Sequence, residues 1–192
     1  ADLAASMGAS LVHCNAPTLA AAAGFPSPVV AVAHGCVTTW WQAARATPLA
    51  RQYRWHRDMT KAGLNAADAV VAPSAAHAAL LARTYRLRRK PLVVHNGRQP
   101  TARIGKEAPV GAALTVGRLW DTVKNAALLD RVAARSRLPI LAAGAVRGPH
   151  GEEAQLAHLE VLGHLGQADL ARQLARRPVF VSAATFEPFG LA

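Results

Sequence analysis

Cysteine and carboxylate are the scarce side chains of this sequence. Two cysteines, Cys14 and Cys36, stand in 192 residues, and neither is spaced against a second cysteine or a histidine pair as metal ligands would be. That excludes a disulfide scaffold and a structural zinc site, and both thiols read as buried and free. Acidic residues number 11 against 22 lysines and arginines, for a formal charge of +11 and a pI near 11.2. The aspartates, at 2, 58, 68, 121, 130 and 169, form no Asp-x-Asp pair, and no Gly-x-Gly-x-x-Gly follows any strand-like run. A clustered-carboxylate metal site and a nicotinamide-dinucleotide fingerprint are therefore both absent, and no metal is expected. No apolar run approaches the length of a membrane span, and no basic leader opens the chain, so the cytoplasm is the expected location.

What is present is a chain that is 52% hydrophobic, enough for a packed core in one ordinary domain or in parts of two. Most of the cations are arginines, which suit bidentate phosphate contacts. Nucleic acid, nucleotide sugar and anionic lipid all satisfy that preference, so charge by itself does not choose among them.

Short apolar runs alternate with helical segments, which predicts a parallel α/β architecture. The first region reads as a helix over Asp2–Met7, a strand over Ser10–Val12, a helix over Thr18–Ala23 and a buried strand over Val29–Ala33. That last strand delivers His34-Gly35 to its C-terminal end, where ligands sit in open α/β sheets. A locally bonded loop histidine is the plain alternative for His34, and His13 follows its own expected strand in the same way. Thr47-Pro48 has the form of an N-cap and first helical residue, predicting a helix to about Leu64. In that helix Arg51, Arg54, Asp58 and Lys61 share one face, while Leu49, Tyr53 and Met59 suggest a packed stripe opposite. A solvated face is the plain reading of those charges; contact with an anionic acceptor or the membrane surface is the functional one.

A strand then leads to Pro73-Ser74 as an N-cap, a helix from Ala75 to about Tyr85, and a strand over Leu92–Val94. The boundary falls after His95-Asn96-Gly97, with residues 98–111 as linker and 112–192 as the second region. There the pattern predicts strands at Leu114–Val116, Pro139–Ala143, Leu159–Leu162 and, as a buried strand, Val179–Ser182. Helices are expected from about Asn125 to Ser136, with Ala127, Leu128 and Val132 inward, and from about Ala168 to Ala175.

Two stretches carry chemistry. In L-T-V-G-R-L-W-D-T-V-K-N, a strand ends at Val116, Gly117 permits a sharp turn, and Arg118 and Lys124 flank an expected helix start. Backbone N–H groups, a guanidinium and an ammonium are thus offered together to an anion such as a diphosphate, whereas the plain reading is a surface loop with two solvated charges. The second stretch, V-F-V-S-A-A-T-F-E-P-F-G-L-A, brings Glu187 and a Pro-Phe-Gly turn to the end of the last strand.

Together these stretches, with A-A-G at 142–144 and L-G at 162–163 between them, closely resemble the C-terminal half of retaining glycosyltransferases of family 4. The run A-D-A-V-V-A-P-S at 67–74 resembles that family's N-terminal domain. The resemblance implies a fold of two Rossmann-like parallel-sheet domains of the B type, both incomplete in this chain. It also implies a second motif glutamate past Ala192, hence an internal piece inactive by itself. The implied reaction transfers a sugar from a nucleotide-diphosphate-sugar donor to the hydroxyl of a saccharide or lipid-linked acceptor, with retention and without a cofactor or metal. Arg118 and Lys124 would neutralise the diphosphate, Glu187 would orient the sugar, and His34 would face the donor sugar. Gly117 lines the diphosphate turn, Gly163, His164 and Leu165 would pass the base, and Phe189, Gly190 and Leu191 would bring backbone N–H groups to sugar and phosphate. Asn125 departs from the glycine often found after the motif lysine, and Ser182-Ala183 from a frequent Pro-Ser.

Three rivals differ in class. Other B-type nucleotide-sugar or sugar-phosphate enzymes share the architecture. A basic nucleic-acid module would explain the charge but lacks a recognition-helix, RNA-binding aromatic or finger signature, so no nucleic acid is expected. A nicotinamide-dependent oxidoreductase lacks its glycine fingerprint.

Overall fold

The computed structural model describes residues 1–21, 24–99 and 109–190, and the chain divides into two compact units. The first comprises Ala1–Gly97 together with the segment that begins at Pro188, the second Arg98–Glu187. Each is built on four parallel strands, so the fold is the pair of Rossmann-like α/β units that the sequence predicts. Most of the expected linker, at 100–108, lies outside the described residues.

In the first unit β1 (Val12–Cys14), β2 (Val29–Val32), β3 (Ala69–Ala72) and β4 (Leu92–Val93) lie side by side in that order. Val29 and Ala31 of β2 are buried while Val30 and Val32 are half-buried, the period-two pattern of a strand covered on one face more than the other. Four helices accompany the sheet: α1 (Asp2–Ser6), α2 (Val37–Ala44), α3 (Arg54–Ala66) and α4 (Ala75–Tyr85). Ser74 caps α4 as expected, its hydroxyl accepting from the His77 N–H at 3.1 Å. Ala33, Leu64, Ala72, Ala78, Leu81 and Tyr85 form the core beneath it. Burial, with the Cys36 thiol 3.0 Å away, pushes the Tyr85 phenol well above its ordinary pKa. Cys14 is buried and Cys36 half-buried, and both are free thiols.

Several expectations change here. β1 begins two residues later than its pattern suggested, so His13 lies within the strand instead of following it. The helix expected over Thr18–Ala23 is a 3-10 turn at Pro17–Ala20, with positions 22 and 23 outside the described residues. Thr47-Pro48 starts no helix, because the Trp41 indole of α2 donates to the Thr47 carbonyl at 3.0 Å and the Trp41 and Tyr53 rings pack with centroids 5.6 Å apart. A 3-10 turn at Arg51–Tyr53 intervenes before α3. The packed face of α3 is then Thr60, Gly63 and Leu64 instead of Leu49, Tyr53 and Met59. Gly63 decides this, since a Cβ there would stand 1.7 Å from the Pro17 carbonyl oxygen: α3 lies directly on the backbone of the Pro17 turn.

The second unit contains β5 (Ala113–Val116), β6 (Ile140–Ala143), β7 (Glu160–Gly163) and β8 (Val179–Phe180), all parallel, in the order β7-β6-β5-β8. Ala126 and Leu129 of α5 (Ala126–Ala133) join Ala113, Ile140 and Ala142 on one face. Leu170 and Leu174 of α6 (Gln167–Ala175) cover Leu114, Leu141 and Ala143 on the other. Helices on both faces explain why β6 is buried at every position and reads as an unbroken apolar run.

β8 is not the buried strand expected. It pairs only with β5 among the described strands, and Val179 and Phe180 are 60% and 48% exposed. The inward face of α5 also differs, with Ala126, Leu129 and Asp130 inside and Leu128 and Val132 exposed. Asn125 sets that phase by taking φ 54° and ψ 40° immediately before Ala126. Asparagine is the side-chain-bearing residue best suited to this left-handed conformation, so it replaces a glycine here at little cost.

Asp130 is a buried carboxylate with no signal in the sequence. Its Oδ1 accepts the N–H groups of Ala157, His158 and Leu159 at 3.0, 2.8 and 2.9 Å, holding the chain that enters β7. Burial pushes the carboxyl pKa up, but the three donors together outweigh that and hold it below the ordinary carboxylate value. Among the described residues, no helix is long and apolar enough to cross a membrane, and no three His, Cys, Asp or Glu side chains are grouped to hold a metal ion.

Candidate active site

Strand order selects a location before any side chain does. In the second unit the order β7-β6-β5-β8 runs outward from β5 in both directions, so the topology reverses between β5 and β8. In open α/β sheets the ligand crevice is expected at the carboxyl ends of the two strands that flank such a reversal. Among the described residues, the strands of the first unit lie in sequence order.

The loops at this crevice carry both of the chemistry-bearing stretches. After β5, the Gly117 N–H donates to the Ala143 carbonyl at 3.0 Å, and Gly144 adopts φ 147°, where a Cβ would stand 1.7 Å from the Gly117 carbonyl oxygen. The ends of β5 and β6 can close this tightly only because residue 144 is glycine. Arg118 then turns outward, 61% exposed at the side chain, with its guanidinium 5.4 Å from the centroid of the Trp120 ring. Its Nη2 donates to Asp121 Oδ2 at 2.7 Å, while Asp121 Oδ1 accepts from the Val123 N–H at 3.3 Å. Buried Asp121 thus fixes the direction of Arg118 and caps the 3-10 turn Thr122–Lys124. It was missed in the sequence, although an aspartate three residues after an arginine is a readable pairing signal.

That turn aims Lys124 back across the Gly117 backbone, its methylenes 3.9 Å from where a Gly117 side chain would begin. From β8, the Thr185 N–H donates to the Val123 carbonyl at 2.8 Å and its hydroxyl to the same oxygen at 3.4 Å. With Thr185 so held, Glu187 arrives beside the lysine. Lys124 Nζ donates to Glu187 Oε2 at 2.5 Å, with the two side chains 21% and 34% exposed. Two residues far apart in sequence, each singled out by its own motif, therefore share one charge-assisted hydrogen bond at the topological switch point.

The other predicted residues are described each within its own unit. Gly163, at φ 70°, ends β7 with its carbonyl accepting from the Gly144 N–H at 2.7 Å. His164 is exposed, whereas half-buried Leu165 packs with Leu162, Leu170 and Leu174 against the core. In the first unit His34 follows β2, its Nε2 lying 3.0 Å from Asn15 Oδ1. Asn15, which the contact adds to the histidine, had no sequence signal. Below it His77 is 2% exposed, and burial lowers its pKa, which favours the neutral ring. Pro188 and Phe189 belong to this first unit by packing: Ser74 Oγ donates to the Pro188 carbonyl at 2.6 Å, and the Phe189 and His95 rings lie 5.6 Å apart. Gly190 follows at φ 89°, and Leu191 lies outside the described residues.

Residues 2–101, more than half of the chain, match the model of the family described as Glycosyltransferase Family 4. Among solved structures, the crystal structure of TarM superposes with a TM-score of 0.65 at 12% identity, over 94% of this chain and 37% of that one. At that identity the likeness concerns the fold, and this chain spans little more than a third of that chain's length. No curated protein matches the sequence.

Proposed function

The chain belongs to glycosyltransferase family 4, and from that premise we propose that it supplies part of the donor site of an enzyme that transfers a sugar from a nucleotide-diphosphate-sugar donor to an acceptor hydroxyl, with retention and without a metal ion. The observation that carries the proposal is the 2.5 Å bond between Lys124 and Glu187 at the reversal between β5 and β8. A cation needed for a diphosphate and a carboxylate needed for sugar hydroxyls already stand side by side there.

In this reaction the charge that grows as the glycosidic bond breaks lies on the departing diphosphate. Arg118 and Lys124 face that charge as fixed cations, the electrostatic role a metal ion plays elsewhere. Asp121 and Trp120 hold the Arg118 guanidinium in place beforehand, so little reorganisation is needed. On donor binding Lys124 exchanges its bond to Glu187 for the diphosphate, and the freed carboxylate accepts hydrogen bonds from the sugar. The acceptor hydroxyl attacks from the face the diphosphate leaves, and the departing phosphate oxygen takes its proton, which conserves the anomeric configuration. Gly163, His164 and Leu165 meet the base through backbone groups. Phe189 and Gly190 meet sugar and phosphate, and His34 the sugar, on the family resemblance.

Calorimetric titration of UDP, GDP and ADP into the chain, beside Arg118→Ala and Lys124→Ala variants, tests the proposal. Binding of one nucleotide that both variants lose supports it and identifies the donor base. A folded chain that binds none returns the two cations to the role of solvated surface charges.

A further inference from the structure

The first unit has a groove of 880 Å³ at the end of its sheet opposite to His34 and Ser74, where α3 ends, β3 begins and the chain passes from α4 into β4. Lys61, Arg86, Arg88, Arg89 and Lys90 line it, against the single carboxylate of Asp68. Asp68 Oδ2 is already engaged by the Val29 N–H at 2.8 Å. No carboxylate among the described residues pairs with any of the five cations, although Arg57, Arg118, Lys124, Arg147 and Arg172 each have such a partner. The partial negative charge at the C-terminal ends of α3 and α4 accounts for a cation at each end. It does not account for five along one concavity, where like charges repel.

Arg86 ends α4 at φ 53° and ψ 51°, a left-handed position that glycine also takes, and it lines the groove. Val70 and Leu92 also line the groove, so it joins an apolar surface to a cationic rim. We propose that this groove is a second anion site, separate from the candidate active site, which holds a ligand bearing two or more phosphate groups. A single phosphate would engage two or three of the cations, whereas a multiply charged anion spans the set.

The test titrates inorganic tripolyphosphate into the chain with Lys124→Ala in the background, so that the candidate diphosphate site is disabled. A triple variant, Arg86→Gln with Arg88→Gln and Arg89→Gln, is compared with a triple of equal charge on the second unit, Arg131→Gln with Arg135→Gln and Arg137→Gln. The expected result is about tenfold weaker binding in the first triple alone, from three exposed charge contacts of modest individual strength. Arg86→Gly guards against misfolding, because glycine relieves the backbone while removing the cation; it should bind roughly threefold more weakly and unfold at no lower temperature. Phosphatidylglycerol vesicles form a separate arm. Capture by these and not by phosphatidylcholine vesicles, without tripolyphosphate binding, places the phosphates on lipid head groups; tripolyphosphate binding places them on a soluble ligand. Equal losses in both triples, or no binding of either probe by the folded background chain, overturn the site.

Discussion

Lys124 and Glu187 hold each other at 2.5 Å in the ligand-free molecule, each occupying the atom that the proposed donor would need. The pair is partly open to solvent, so its contribution to stability is about 1 kcal/mol or less. Competition between Glu187 and the diphosphate for one ammonium follows directly. Glu187→Gln should therefore tighten binding of the matching nucleoside diphosphate by about two- to fivefold, the equivalent of that lost pairing. Calorimetric titration of the parent chain and the variant measures the difference. Weaker nucleotide binding in Glu187→Gln would show that the carboxylate does not compete with the ligand.

Gly144→Ala should destabilise the second unit by about 2–3 kcal/mol, because its Cβ would meet the Gly117 carbonyl at 1.7 Å and backbone cannot rotate away as a side chain can. Gly163→Ala meets nothing within 4 Å and suffers only from φ 70°, so its cost should be about 1 kcal/mol. Chemical denaturation of the two variants gives the ranking. Equal stability would mean that β5 and β6 part more readily than their hydrogen bonds suggest.

Asp130→Ala leaves three backbone donors without their acceptor, and a loss of about 2–3 kcal/mol is expected. The carboxyl also makes stability depend on pH. Its folded-state pKa is depressed, so the contribution is fully present above the unfolded pKa and is lost as pH falls through the folded one. Denaturation midpoints should fall on acidification below about pH 4, where an unfolded aspartate takes up its proton. The fall should be shallower in Asp130→Asn, and parallel curves would remove Asp130 from the account.

Asn125→Ala should cost about 1 kcal/mol and Asn125→Gly nearly nothing, since the backbone at φ 54° penalises a β-carbon that cannot hydrogen-bond locally. Thermal melts of both variants test this. An alanine variant as stable as the parent would show that the left-handed turn before α5 relaxes.

How much was legible depended on how far apart the deciding atoms lie in the chain. The Ser74 cap, the α4 helix after it and the fully apolar β6 run are local patterns, and each appears where the residues place it. The start of α3 was misread because the proline and threonine at 47–48 carry a valid local helix signal that a tryptophan six residues earlier overrides. The inward face of α5 was misread for a related reason. Leu128 and Val132 are as apolar as Leu129, and only the bonds from Asp130 to the chain entering β7 show which side faces in.

At the candidate site the same division holds. The sequence alone determined the chemistry on offer, namely a glycine turn with two cations and a carboxylate before Pro-Phe-Gly, because backbone freedom and charge belong to single residues and their near neighbours. Tertiary structure decided which of these groups meet. Strand order placed the ends of β5 and β8 together, Thr185 on the Val123 carbonyl brought Glu187 to Lys124, and Asp121 turned Arg118 outward. It also set Pro188 and Phe189 against Ser74 and His95. The physical reason is that hydrogen-bond partners distant in the chain are chosen by sheet order and register, which follow from how the apolar faces of the entire unit are buried together and not from any one segment.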